Sequence, residues 1–172
     1  MNPAISLSNL DMQVACTYQE FVIPISRERA FKGMAVDVHN LVVKAAPHIM
    51  KSVKTIHGDG GPGTIRECTY TKESGCSAIV GTLRVDILDA KNFVYRHTIT
   101  DGDAYRMMYS VIVEMRYEAL GHDKCICKMS TEHHPKEGIT YKEEDIEKGN
   151  RTMMALYKAM QDYLVANPNA YV

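Results

Sequence analysis

The chain has 172 residues, of which 45% are hydrophobic and 24% charged, and its formal net charge is −1. These values are ordinary for one globular domain with a sizeable core, and the absence of any cluster of five basic residues argues against nucleic acid and anionic membranes as partners. The chain also lacks a run of about 18 apolar residues and an N-terminal signal pattern, so we expect a cytoplasmic protein.

The sulfur-containing residues are unusual in number and spacing. The five cysteines do not have the spacing that is typical of a disulfide framework, which indicates free thiols in a reducing compartment. Eleven methionines stand against three phenylalanines and no tryptophan. Because methionine fills irregular space and repacks easily, this composition fits either a plastic core or an adaptable pocket.

The N-terminal part of the chain predicts a tail followed by the start of a single domain. Residues 1–10 are expected to form a flexible tail, and residues 11–172 one domain without repeats or linkers. Residues 11–23 are strand-like and end at Pro24. Two short helices are then predicted over residues 27–36 and 38–44, in a V-shaped arrangement.

After these helices the pattern changes to alternation of apolar and polar residues, which is typical of half-buried strands. Six strands are predicted over residues 49–56, 64–71, 76–87, 93–100, 105–118 and 124–133. Short turns separate them, so the fold class is α+β: a curved antiparallel sheet of seven strands, with the helices segregated from it.

A long helix is predicted over residues 139–166, and the sheet is expected to wrap around it. Thr140 and Glu143 have the spacing of a capping box, and acidic residues crowd the first turn. Apolar residues then recur every three or four positions and form one stripe. The helix is predicted to end before Asn167, because the residue that precedes Pro168 is pushed out of the helical region.

A glycine-rich loop connects two of the predicted strands: Gly58, Asp59, Gly60, Gly61, Pro62 and Gly63. Its spacing satisfies G-x-G-x-x-G, but a dinucleotide site requires a helix directly after the loop, and here a strand follows. Pro62 also removes a backbone donor. We therefore interpret the loop as a rigid connection whose glycines permit positive φ.

Residues 58–65 closely resemble the glycine-rich loop of the Bet v 1-like family, the plant pathogenesis-related class 10 proteins. Further similar segments occur in the family's order: residues 44–47, 53–57, 92–95 and 162–171. The resemblance covers about residues 12–172. It implies a START-like helix-grip fold, a role in plant defence, and a large cavity between sheet and helix that binds hydrophobic or amphipathic small molecules.

If such a cavity is present, alternation and helix spacing predict which side chains line it. The predicted ligand-binding residues are Met34, Arg66, Cys68, Tyr70, Leu83, Tyr95, His97, Tyr109, Val113, Met115, Gly149, Met153, Leu156 and Met160, with Val85 and Ile99 on the same strand faces. Arg66, Tyr70, Tyr95 and His97 would be the polar anchors. A buried guanidinium favours an anionic or carbonyl-bearing guest. The alternative is that these residues pack a dry core.

The function that the resemblance implies is a binding protein or carrier for plant metabolites of cytokinin, flavonoid, steroid or alkaloid type. The alternative is a cavity enzyme of norcoclaurine-synthase type, which condenses an amine with an aldehyde and would use Lys128 as catalytic acid or base. However, alternation along that strand places Cys125, Cys127 and Met129 on its inner face, which would leave Lys128 on the outer face in water.

Ribonuclease activity, also credited to the family, is not expected, because Tyr109 and Gln161 occupy the positions of its two glutamates, although Tyr163 matches its tyrosine. We expect no cofactor and no metal site, since four converging zinc ligands are not apparent. The expected oligomeric state is a monomer or a weak dimer.

Overall fold

The computed structural model describes residues 4–7, 14–74, 80–102, 108–139 and 142–172, with the backbone alone for residues 4–7, 101–102 and 108–109. Its strands are β1 (Ala4–Leu7), β2 (Ala15–Ile23), β3 (Met50–His57), β4 (Ile65–Tyr70), β5 (Val80–Asp89), β6 (Val94–Gly102), β7 (Met108–Ala119) and β8 (Cys125–Pro135). They form one antiparallel sheet in the order β1-β2-β8-β7-β6-β5-β4-β3. The predicted α+β class and its seven-stranded curved sheet are confirmed.

Strand β1 is an addition to that prediction. Residues 1–10 are expected from the sequence to form a flexible tail, but Ala4–Leu7 pairs with Ala15–Tyr18 of β2. The reason lies in the exposed edge of β2, which presents unpaired backbone donors and acceptors that a neighbouring segment can satisfy. The sheet therefore has eight strands in the described part of the chain.

Alternating burial along the central strands defines the inner face of the sheet. In β8 every second residue from Cys125 to Pro135 is buried, and in β7 the same holds from Val111 to Tyr117. The inner-facing residues pack into the hydrophobic core, whereas the outer face carries charged side chains such as Glu114 and Arg116. Period-two patterning thus separates core from solvent, as predicted.

The predicted helix over residues 27–36 is interrupted. Helix α1 (Arg27–Phe31) begins at Ser26, whose hydroxyl accepts a hydrogen bond from the backbone of Arg29 at 3.4 Å. One π-helical turn, Lys32–Val36, follows, and the backbone N–H of Asp37 bonds to the carbonyl of Lys32 at 2.9 Å. Helix α2 (Val38–Ala45) completes the V that the sequence predicts.

Helix α3 (Glu143–Ala166) begins later than predicted. Its N-cap is Lys142, which makes no side-chain capping bond, so Glu143 is the first helical residue rather than the third. The predicted capping box is therefore not formed by Glu143, and Thr140 lies outside the described residues. In the described part of the chain, no helix is both long and apolar enough to cross a membrane.

The C-terminal end of α3 is anchored to the V. The guanidinium of Arg29 donates hydrogen bonds to the carbonyl oxygens of Ala170 at 2.7 Å and Leu164 at 2.5 Å. The hydroxyl of Tyr171 donates to Asp37 at 2.7 Å. The backbone of α3 packs closely against α2. Together with α2 and strands β3 to β6, α3 borders a common internal space.

Candidate functional site

A cavity of about 140 Å³ lies between the inner face of the sheet and α3. Residues of α2, β3, β4, β5, β6 and α3 form its wall. An engineered apolar cavity of similar size in another protein admits benzene, so the volume suits a small aromatic group. Three methionines line it, Met50, Met153 and Met160, and their flexible side chains can make room for a larger guest by rotation.

Ten of the residues predicted to line a cavity lie on this wall. They are Arg66, Cys68 and Tyr70 on β4, Leu83 on β5, Tyr95 and His97 on β6, and Gly149, Met153, Leu156 and Met160 on α3; Ile99 joins them. The strand residues reach the cavity because they share one face of the pleat, and the helix residues because they share one stripe.

Met34, Val113 and Met115 do not lie on the cavity wall. All three side chains are fully buried members of the hydrophobic core. Val113 and Met115 lie on the inner face of β7, as alternation predicts, but they pack within the hydrophobic core, so the space there is filled. The packed part of the interior therefore corrects the prediction for these residues. Tyr109 belongs to β7, but its side chain lies outside the described residues, and Val85 is buried without lining the cavity.

Several wall residues were not predicted. They are Val38, His39 and Val42 on α2, Met50 and Val53 on β3, Gly81 and Thr82 on β5, and Thr152 and Tyr157 on α3. The four-residue spacing of Val38 and Val42 was the available signal for α2. Thr82 and Leu83 both reach the cavity because the pairing of β5 with β6 shifts register between them. Single-sequence alternation does not reveal such a bulge.

Arg66 is the one charged side chain among the described wall residues, and only 2% of its surface is exposed. Among the described side chains, none forms an ion pair with it. Burial raises the pKa of the nearby Tyr95 hydroxyl to about 12, although the Arg66 guanidinium opposes this shift. Tyr95 is therefore a neutral hydroxyl beside a permanent cation.

Both histidines on the described part of the wall have pKa values below the usual one, which favours the neutral ring at pH 7. Burial lowers the pKa of His97 to about 4; the Asp86 carboxylate opposes this shift, and the positive charge of Arg66 adds to it. The His97 ring lies beside that of Tyr95, with 5.2 Å between centroids. Burial, with a further contribution from Arg66, also lowers the pKa of His39.

The thiol of Cys68, which lies on the wall, is expected to be unreactive. Burial raises the pKa of Cys68 to about 12, so it stays protonated and is a poor nucleophile or metal ligand. The described part of the chain contains no group of three or more histidine, cysteine or acidic side chains arranged to hold a metal ion.

Lys128 lies on the outer face of the sheet, away from the cavity. Its ammonium is 2.7 Å from a carboxylate oxygen of Glu118. The hydrogen bond to Glu118 raises the pKa of Lys128, so it remains a cation. The flanking residues Cys127 and Met129 are buried, which confirms the phase predicted for this strand.

The glycine-rich loop has the positive φ angles that the sequence predicts. Gly58, Gly60 and Gly63 have φ of 95°, 105° and 90°. The backbone N–H of Gly60 donates to the Thr64 hydroxyl at 2.8 Å, and that of Gly63 to the carbonyl of Val85 at 2.7 Å. These bonds fasten the loop to the start of β4 and to β5.

Gly58→Ala is expected to destabilise the fold more than Gly60→Ala. Both positions have positive φ, which costs a non-glycine residue about 1–2 kcal/mol. A Cβ at Gly58 would also lie 2.7 Å from the Cα of Thr64, whereas a Cβ at Gly60 meets nothing within 4 Å. Urea unfolding of both variants should show the additional loss at Gly58; equal losses would mean that the loop is not held against Thr64.

Comparison with known proteins agrees with the fold. The model of the pathogenesis-related protein Bet v 1 family matches residues 12–167. The major strawberry allergen Fra a 1.04 of Fragaria ananassa is 34% identical over 157 residues, 90% of this chain and 97% of that protein. The crystal structure of Ara h 8.0201 has a TM-score of 0.80 at 23% identity, with 89% of this chain and 99% of that chain covered. Norcoclaurine synthase from Thalictrum flavum has a TM-score of 0.71 at 17% identity, with 90% and 88% covered.

Proposed function

The chain belongs to the pathogenesis-related protein Bet v 1 family, and on that premise we propose that it binds hydrophobic or amphipathic plant metabolites in the cavity between its sheet and α3. The metabolites would be of cytokinin, flavonoid, steroid or alkaloid type, carried in the cytoplasm. The cavity itself supports this proposal most strongly, because a packed interior would leave no place for a guest.

The wall combines the two properties that such a site needs. Its apolar side chains, among them Val42, Met153 and Leu156, remove a guest from water, which is worth about 2.5 kcal/mol for each ~100 Å² of apolar surface. A few polar groups, among them Arg66 and Tyr95, can orient the guest. A mainly apolar pocket with few polar groups is the usual form of a small-molecule site.

The enzymatic alternative receives less support from the position of Lys128. A lysine that acts as acid or base in a dry cavity must lie on its wall, whereas Lys128 pairs with Glu118 on the outer face. The likeness to norcoclaurine synthase is at the level of the fold. We therefore favour binding over amine–aldehyde condensation.

Dye displacement tests the proposal. An environment-sensitive apolar dye should enter the cavity, and a cytokinin, flavonoid, steroid or alkaloid should displace it. A guest at 100 times its Kd adds about 2.7 kcal/mol to the free energy of unfolding, which raises the Tm by roughly 5–10 °C. A protein that takes up no dye and gains no thermal stability from any of these compounds would contradict the proposal.

Lys128→Ala is the matched surface control. It should bind dye and metabolites as the unmodified protein does, because the side chain lies outside the cavity. With amine and aldehyde substrates, both proteins should show the same rate as buffer alone. Turnover that depends on Lys128 would instead support the enzymatic alternative.

A further inference from the structure

Three residues on the cavity wall carry buried nitrogen atoms without a hydrogen-bond partner in the described part of the protein. They are Nε of Arg66, Nδ1 of His39 and Nδ1 of His97. Buried polar groups are nearly always paired, and an unpaired group is costly. Each of these atoms has less than 1 Å² of accessible surface, so a guest reaches it only after the side chain rotates, and all three residues keep an unused hydrogen-bonding position beside the cavity in the described part of the protein.

The charge on the wall indicates which sign the occupant carries. Among the described lining residues, Arg66 alone has a permanent charge, and none is a carboxylate. The pKa values of His39 and His97 are both lowered, which disfavours further positive charge, so in the described part of the wall the charge of Arg66 stands alone without a counter-ion. A guanidinium fork matches the two oxygens of a carboxylate, so one carboxylate would supply what is missing.

The rest of the wall limits the size and polarity of the part of the guest that does not contact Arg66. The side chains of Met153, Leu156 and Met160 on α3 line the cavity and carry no charge. The volume of about 140 Å³ suits one aromatic ring or a body of similar size. A second charge on the guest would lie against these apolar side chains without a partner.

We infer that, within the proposed binding function on which this rests, the cavity prefers guests that carry one carboxylate on an aromatic or similarly compact apolar body over neutral guests of the same shape. The carboxylate binds to Arg66, and the apolar body lies against α3. A water molecule that satisfies the same nitrogen atoms is the competing occupant, and it would confer no preference for an anion.

The test compares benzoate with benzamide, which have nearly the same shape but differ in charge. Isothermal titration of the full chain at pH 7 should show benzoate binding about tenfold more tightly or better, because hydrogen bonds to a charged group are about twice as strong as neutral ones. Arg66→Met should lose this preference while it still binds both compounds. Leu83 is the cross-strand neighbour of Arg66. The variant Leu83→Ala should lower the affinity for benzoate and for benzamide by the same factor and keep the preference for benzoate.

The outcomes separate this inference from the binding function. Equal affinity of the two compounds for the unmodified protein, with water as the only polar occupant, overturns the inference and leaves the carrier function intact. If benzoate, benzamide and the dye all fail to bind, both the inference and the proposed binding function are overturned. A preference that survives Arg66→Met also overturns the inference, because the anion then binds elsewhere. If Arg66→Met does not fold, Arg66→Lys decides: a reduced preference supports the role of the guanidinium, and an unchanged preference contradicts it.

Discussion

Gly149→Leu is expected to block the cavity and, at the same time, to stabilise the fold. Gly149 lies inside α3, where glycine costs roughly 0.5–1 kcal/mol relative to a good helix former. Gly149 is also solvent-exposed and borders the cavity, and a Cβ at this position meets nothing within 4 Å, so a leucine side chain has room to lie over the opening of the cavity. We expect affinity for a metabolite or dye to fall at least about tenfold, since the leucine side chain obstructs a cavity of only about 140 Å³.

Gly149→Ala is the matched control. It should gain a similar amount of stability, because it relieves the same backbone penalty, but its single methyl group leaves most of the cavity open. Urea unfolding and dye titration of both variants measure the two effects separately. Undiminished binding by Gly149→Leu would mean that guests bind elsewhere on the protein.

The second large effect is a loss of stability in mild acid. Burial lowers the pKa of both His97 and His133 to about 4, whereas an unperturbed histidine has a pKa near 6.5. Between these values the unfolded chain binds more protons than the folded one, so stability falls as the pH falls from 6.5 towards 4. At pH 5 each histidine should remove about 2 kcal/mol relative to pH 7, and the Tm should fall by roughly 8–16 °C for the pair.

The double variant His97→Gln with His133→Gln is the control, because glutamine does not titrate. Its free energy of unfolding should depend much less on pH between 7 and 5, whatever its absolute stability. The measurement is urea unfolding at several pH values in that interval. An equally steep dependence in the double variant would assign the acid sensitivity to other groups.

The sheet was predictable from the sequence, because alternation is a local signal. The period-two pattern over residues 105–118 corresponds to β7, and that over 124–133 to β8. Strand β1 was not predictable, since four residues carry no periodicity and only the edge of β2 makes them a strand. The start of α3 was misassigned because Thr140 and Glu143 match a capping box whose geometry the helix does not adopt.

The site was predictable to the extent that it depends on which face a side chain occupies. Alternation brings Arg66 and Cys68 to the inner face, and both line the cavity. The same rule brings Val113 and Met115 inward, but there the interior is packed. Whether an inward side chain meets a neighbour or an empty space depends on the distance between α3 and each strand, which a single sequence does not encode locally.

The most direct test of the cavity uses methionine methyl groups as probes. Met50, Met153 and Met160 line the cavity, whereas Met34, Met115 and Met129 are buried in the packed core. In a ¹³C-methyl-methionine NMR titration with a small aromatic guest, ring currents should shift the first three resonances and leave the second three nearly unchanged. Binding without shifts at the lining methionines, or with equal shifts at all six, would contradict a guest site between the sheet and α3.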